Sequence, residues 1–349
     1  MRRYLAIAAV VAMVAGVGFG PGLIGQAQDA GQNEWSSPRT PWGAPALAGI
    51  WSPGYTLTPL ERPETYGNRE FLTDDEVYAL ENEQDTSEGR NFRPEGSTVA
   101  DVEGAYNDAF TGRGTEVIRT RRTSLIVDPP NGRMPPLTAD AEARGMSVRR
   151  GGAPGRAAAF AAGEVPTPYG VDTRSSSFTD NPEDRNTDRC RGISLPFIRG
   201  TSGTYSRLVQ SPSAVTLYHE DGHRGGSYRT IHLDGRPHLP PHIRQWLGDS
   251  IGHWDEDTLV VDTTNFTDET SFNGSRGDLH LVERFTRVAP DLVMYEISVD
   301  YPTVWTRTWT IEVPLTESDN RENQIFEAAC HEGNYAMTAI LAGARRAGE

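Results

Sequence analysis

Between residues 214 and 313 the chain repeatedly alternates apolar and polar residues with a period of two. That period puts successive side chains on opposite faces of an extended strand and does not suit a helix. Six runs read as strands: 214–220, 227–233, 258–266, 279–288, 292–301 and 304–313. Turn-forming groups separate several of them, among them Asp221-Gly222, Asp255-Glu256-Asp257, Asn273-Gly274 and Ala289-Pro290-Asp291. Strands following one another this closely predict a mainly β fold, an antiparallel β-barrel or a sandwich. The expected organisation is a leader at 1–27, an irregular region at 28–204 packing on the barrel, and a barrel domain at 205–349 that ends in a helix at 334–345.

The later strands resolve into faces. One face of 279–288 carries Leu279, Leu281, Glu283, Phe285 and Arg287. The apolar face of 292–301 carries Val293, Tyr295, Ile297, Val299 and Tyr301. In 304–313 it carries Trp305, Arg307, Trp309, Ile311 and Val313. Glu283 and Arg307 thus sit on apolar faces, where an unpaired charge is costly. The simplest expectation is that the two meet inside the barrel. The pair would either fix register or meet a ligand.

The N-terminal half has few periodic segments. Residues 28–60 are rich in Pro, Gly and Ser, with Trp35, Trp42, Trp51 and Tyr55 among them, and read as an extended arm whose tryptophans pack on the barrel. Gly49-Ile50-Trp51 fits a short strand. Residues 72–83 read as a helix, with Thr73 as N-cap and Glu76 completing a capping box. Leu125-Ile126-Val127 before Pro129-Pro130-Asn131-Gly132 reads as a strand entering a turn, and a short helix is expected to start at Thr138.

Arg2 and Arg3 precede an apolar run at 4–19, and Gly25-Gln26-Ala27 is a small-x-small cleavage site. This reads as a secretory leader rather than an anchor, because the run is short and has no basic flank after it. The expected location is secreted or periplasmic, without a stable membrane anchor. A net charge of -15 disfavours nucleic acid as a partner. All 33 basic residues are Arg. Without a Lys amine there is no Schiff-base catalysis, no pyridoxal phosphate attachment and no Walker A loop. Cys190 and Cys330 are the two cysteines. Export favours a disulfide between them, and the rival is a Cys330 thiolate beside His331.

The densest chemistry lies at 233–266, which holds His238, His242, His253, Trp246, Trp254 and several acids. Pro237, Pro240 and Pro241 forbid a helix through the first two histidines, so they do not form a zinc-binding H-x-x-x-H face. A proline-stiffened loop carrying His, Arg, Trp and Asp suits either a binding or acid–base site, or a plug bonded to backbone carbonyls. The histidines at 219, 223, 238, 242, 253, 280 and 331, with Asp249 and Asp255, include enough ligands for a divalent metal. Their spacings match no closed zinc pattern, so no metal or other cofactor is assigned.

Five blocks, RTRRTSLIVDPPNGRMPPLT, LDGRPHLPPHIRQWLGDSIGHWDEDTLVVDTTNF, LHLVERFTRV, TRTWTIEVP and ACHEGNYAM, resemble a family of exported, mostly uncharacterised bacterial proteins. With TPLERPETYGNREFLTDDEV upstream, the resemblance spans nearly all of the mature chain. It implies export and a shared architecture. GHWDEDTLVVDTTNF followed by LHLVERFTRVAPDLVMYEISV more distantly resembles lipocalin-like (calycin) barrels, which implies a small organic ligand in the interior.

Three functions compete. The first is an exported enzyme (lyase, isomerase or hydrolase) acting on a small organic molecule by acid–base chemistry without a nucleotide. Its catalytic candidates are His238, His242, Asp249, His253, Glu283 and His331. Arg244, Trp246, Tyr295, Trp305, Arg307, Trp309, Glu332 and Tyr335 are the candidates for holding substrate. The second is a lipocalin-like small-molecule binding protein. The third is an envelope scaffold without a site. A disulfide at Cys330 would fix His331, Glu332 and Tyr335 against the barrel.

Overall fold

A computed structural model of the chain describes residues 35–52, 57–86, 116–143, 205–220, 226–267, 278–318 and 329–347, with short pieces at 166–167, 170–171, 189–190, 195–196 and 325. The expected leader, Tyr55 and the turns Asp221-Gly222 and Asn273-Gly274 lie outside the described residues. The chain divides into Met1–Trp35 and a second unit, Ser36–Glu349. The strands and helices all belong to the second unit.

Ten strands form its main sheet: β1 (Gly49–Ser52), β2 (Ile126–Asp128), β3 (Ser206–Gln210), β4 (Ala214–His219), β5 (Ser227–His232), β6 (Asp249–Asp255), β7 (Thr258–Thr264), β8 (His280–Ala289), β9 (Leu292–Asp300) and β10 (Trp309–Glu317). β3 through β10 lie side by side in chain order. β1 pairs with β3 through Trp51 and Ser206, and with β10 through Trp51 and Glu317, which closes nine strands into a barrel. β2 pairs with the other end of β10. The barrel is mixed rather than wholly antiparallel. β5 and β6 run parallel, through Ile231 with Ser250 and His232 with Ile251.

The barrel forms because its strands alternate as the residues dictate. β9 buries Val293, Tyr295, Ile297 and Val299 and turns Met294, Glu296 and Ser298 outward. β8 buries Leu281, Glu283 and Phe285. With Leu217, Ile231, Val261, Ile311 and Val313 these fill the interior. At 304–313 the strand starts later than expected. Residues 301–308 turn, held by Val304 N–H donating to Tyr301 carbonyl at 3.0 Å, and β10 begins at Trp309.

The N-terminal stretch is part of the barrel rather than only a wrapping. Trp51 in β1 is fully buried, its indole donating to Leu47 carbonyl at 2.9 Å, with Arg287 over its ring at 5.2 Å. Trp35 and Trp42, by contrast, are 40% and 42% exposed, so of the arm's three tryptophans only Trp51 is buried. The Gln210 side chain fastens the arm by accepting from Leu47 and Ala48 N–H and donating to Pro45 carbonyl.

Three helices are described: α1 (Asp74–Thr86), α2 (Ala139–Ala143) and α3 (Ala336–Ala347). The capping box of α1 is present: Thr73 N–H donates to Glu76 Oε2 at 2.9 Å, and Glu76 N–H donates back to Thr73 Oγ1 at 3.3 Å. Cys190 and Cys330 form a disulfide. No described helix is long and apolar enough to cross a membrane.

Candidate functional site

Inside the barrel, polar side chains from five strands converge. On β5 the inward positions are Ser227, Arg229 and Ile231, while Tyr228 and Thr230 point out. Arg229 meets Glu283 of β8 in a two-pronged pair, Nη1 to Oε2 and Nη2 to Oε1, both at 2.7 Å. Their side chains are 4% and 0% exposed. Arg229 Nη1 also reaches Ser250 Oγ of β6 at 3.2 Å and Thr263 Oγ1 of β7 at 3.3 Å. The Tyr295 hydroxyl of β9 donates to Glu283, and its ring stacks on Phe285 with centroids 4.4 Å apart. The carboxylate that stands alone on an apolar face therefore has its cation, but the cation is Arg229. Arg307 is exposed in the 301–308 turn and pairs with Asp128, because alternation has not yet begun there.

The network holds its charges firmly. Burial alone would lower the Arg229 pKa; the facing Glu283 outweighs it and raises it. Burial, reinforced by Glu283, lifts the Tyr295 phenol well above its ordinary value, so it stays a donor. His219 of β4 is buried nearby, with Ser206 Oγ 2.8 Å from its Nδ1. Burial first, and Arg229 second, push its pKa down to about 3, so the ring is neutral.

A second polar array covers the outer face of the same strands. Its backbone is the loop that returns the chain from β5 to β6. Pro237, Pro240 and Pro241 stiffen this loop, and Gln245 N–H pins its end to Asn265 carbonyl at 2.9 Å. Asp249, at the head of β6, is buried beneath the loop. It accepts from Leu239 N–H at 2.9 Å, from His238 Nδ1 at 3.0 Å, and from Arg236. His238 Nε2 lies 2.9 Å from Asp262 Oδ1, and the other oxygen of Asp262 lies 3.0 Å from His280 Nε2. Burial would raise the Asp249 pKa, but these donors outweigh it and lower it. The His280 contact lowers the Asp262 pKa and, in return, raises that of His280. Both ring nitrogens of His238 are engaged by carboxylates. The ring works as a clamp between β6, β7 and the loop, and has no nitrogen open to a substrate.

Between these arrays the barrel wall parts. β5 and β6 share only the pairings at Ile231 and His232. Beyond that point residues 226–230 and 245–249 diverge around a cleft of about 430 Å³. Ser227, Arg229 and Ser250 line it from inward positions, Tyr228, Thr230 and His232 from outward positions of β5, and Trp246 from the opposite wall, where it packs against the core. Arg229 Nε is buried and has no hydrogen-bond partner among the described residues.

The sequence candidates separate into groups. Glu283 and Tyr295 join the inner network. His238 and Asp249 join the outer array, Asp249 also lining the cleft with Trp246. Trp305 and Trp309 are core residues in edge contact, centroids 5.2 Å apart. His242 and His253 are exposed, and Arg244 binds Phe266 carbonyl at 2.9 Å. His331, Glu332 and Tyr335 are exposed beside the disulfide and, among the described residues, make no hydrogen bond to the central loop. Among the described residues no three His, Cys, Asp or Glu side chains are grouped to hold a metal ion. Arg229, Asp262, Ser206 and His219 carry the geometry, yet only His219 was considered from the sequence, and then only as one of several histidines able to ligate a metal. Except for Ser206 on β3, their strands were legible; the inward face of β5 was not, because Tyr228 is more apolar than Arg229 and points outward.

No protein-family model matches the chain, and a search of curated proteins found no significant similarity.

Proposed function

We propose that this is an exported binding protein that holds a small organic molecule in the cleft between β5 and β6. The observation that carries this reading is the opening in the barrel wall itself, lined by Ser227, Tyr228, Thr230, Gln245 and Trp246 at the junction where β5 and β6 share only two pairings. A cleft of this size, lined by hydroxyl, amide and aromatic side chains, is of the kind that holds a small organic molecule. Export belongs to the same reading. It is supported by the apolar leader in the sequence and by the disulfide, which an oxidising compartment maintains.

An acid–base enzyme draws less support. His238 spends both nitrogens on carboxylates, and His219, with a pKa of about 3, is far too weak a base for work near neutral pH. The test is native mass spectrometry of the mature protein after incubation with a small-molecule extract. A retained mass that disappears in Thr230→Trp, which fills the cleft from an exposed position, supports the reading. Turnover of an extract component without any retained mass would favour the enzyme.

A further inference from the structure

The chemistry of the cleft lining narrows the ligand class; this inference rests on the cleft being a binding site. Apart from the His232 imidazole, its ionisable groups are already matched. Arg229 is paired with Glu283, and Asp249 on the opposite wall is held by Arg236 and His238. A charged ligand would meet no uncommitted carboxylate or guanidinium there to offset its lost hydration. What the walls do present is neutral. Thr230, Ser227 and Ser250 carry hydroxyls, and Gln245 carries an amide.

The rim adds an aromatic surface. Tyr228 is 74% exposed and stands directly across the β4–β5 pair from Tyr218, so two phenol rings share one outer patch beside the cleft. Trp246, half-buried, stands on the other wall. Gly226 is fitted against this patch: a Cβ there would come within 2.2 Å of the Tyr218 hydroxyl. The Tyr218 ring is therefore closely fitted against Gly226, and the exposed Tyr228 ring stands beside it.

We propose that the ligand is a neutral saccharide. Sugar hydroxyls both donate and accept, which suits hydroxyl and amide walls. The C–H face of a pyranose ring would lie on Tyr228, where the negative ring face attracts polarised C–H groups. The cleft volume of about 430 Å³ lies within the range of roughly 300–1,000 Å³ usual for small-molecule sites.

The test is saturation-transfer NMR with titration calorimetry on the full mature protein. The probes are neutral sugars (glucose, galactose, mannose, xylose and their common disaccharides), galacturonate as the charged control and a medium-chain alcohol as the apolar one. At least one neutral sugar is expected to bind saturably. Tyr228→Ala should weaken it roughly tenfold and Tyr228→Phe should retain it; the site is exposed enough that neither change disturbs the core. Binding of no neutral sugar, or sugar binding indifferent to Tyr228→Ala, overturns the saccharide class. If the alcohol binds instead and Thr230→Trp abolishes that, the cleft reading survives without the sugar. If no probe binds and no extract component is retained, both fall.

Discussion

At the scale of the residue, two buried groups set testable energetics. Arg229 and Glu283 are both nearly fully enclosed, so removing one strands the other's charge in the barrel. Glu283→Gln is expected to cost about 3–5 kcal/mol in chemical denaturation, and Arg229→Met with Glu283→Leu together less than either alone. Equal or greater loss in the double variant would mean the pair is net stabilising. His219 gives a pH signature. Folded, its pKa is about 3; unfolded, it returns to the ordinary 6.5. Below pH 6.5 the unfolded chain takes up a proton that the folded chain refuses. The stability from neutral His219 is therefore complete above that pH and drains as pH falls toward 3, by about 1.4 kcal/mol per unit. His219→Gln should flatten unfolding free energy between pH 6 and 4. His280 acts oppositely and in another window: its pKa is raised by Asp262, so its smaller contribution is present below 6.5 and is lost as pH rises through that raised value. That Glu283 needs a cation was legible from Leu281 and Phe285 beside it. Which cation was not, since the two meet across a barrel and sequence patterns report only neighbours along a strand.

At the scale of the element, alternation was a good guide where it was strict and a poor one elsewhere. β4, β5, β7, β8 and β9 begin and end close to their expected bounds, as do α1 and α3. β6 was missed because its sequence, DSIGHWD, has glycine at its centre. Gly252 is required by packing: a Cβ would lie 2.8 Å from Ile231 Cγ2 and 3.0 Å from Val260 carbonyl. β3 was missed because SRLVQ is short and weakly patterned. The proline loop read correctly as non-helical, but its clamping by His238 depends on Asp262, which sits in a continuous run of strand residues without a distinguishing mark. Gly248 governs where this loop hands over to β6. Its φ of +72° is a left-handed conformation, and a Cβ would meet Thr264 carbonyl at 2.7 Å. Gly248→Ala is expected to destabilise by more than about 1 kcal/mol, read as a fall in denaturation midpoint, and to weaken ligand capture beyond what lost stability explains. An unchanged midpoint would show that the loop can hand over to β6 without that glycine.

At the scale of the whole molecule, closure depends on residues far apart in the chain. β1 pairs with both β3 and β10, so deleting residues 36–52 opens two strand edges at once. The truncated chain should aggregate at concentrations where the full one stays monodisperse in light scattering. The Cys190–Cys330 bond spans a sequence separation of 140. Replacing both by serine is expected to lower unfolding stability by about 2–5 kcal/mol, chiefly by freeing the unfolded chain; unchanged stability would mean that residual contacts already confine that segment. The parallel neighbours β5 and β6 have a wider meaning that comes from counting alone. Walking once around a closed ring of strands, direction must return to its starting value, so the reversals must be even in number. Nine strands have nine junctions, eight of them reversing here and one not. An odd-membered ring always keeps such a seam. Mutation can move it or, by adding or deleting a strand, remove it, but no side-chain substitution within a nine-membered ring can erase it. This chain puts its seam where the wall parts, so its opening sits at the one kind of junction that the ring cannot do without.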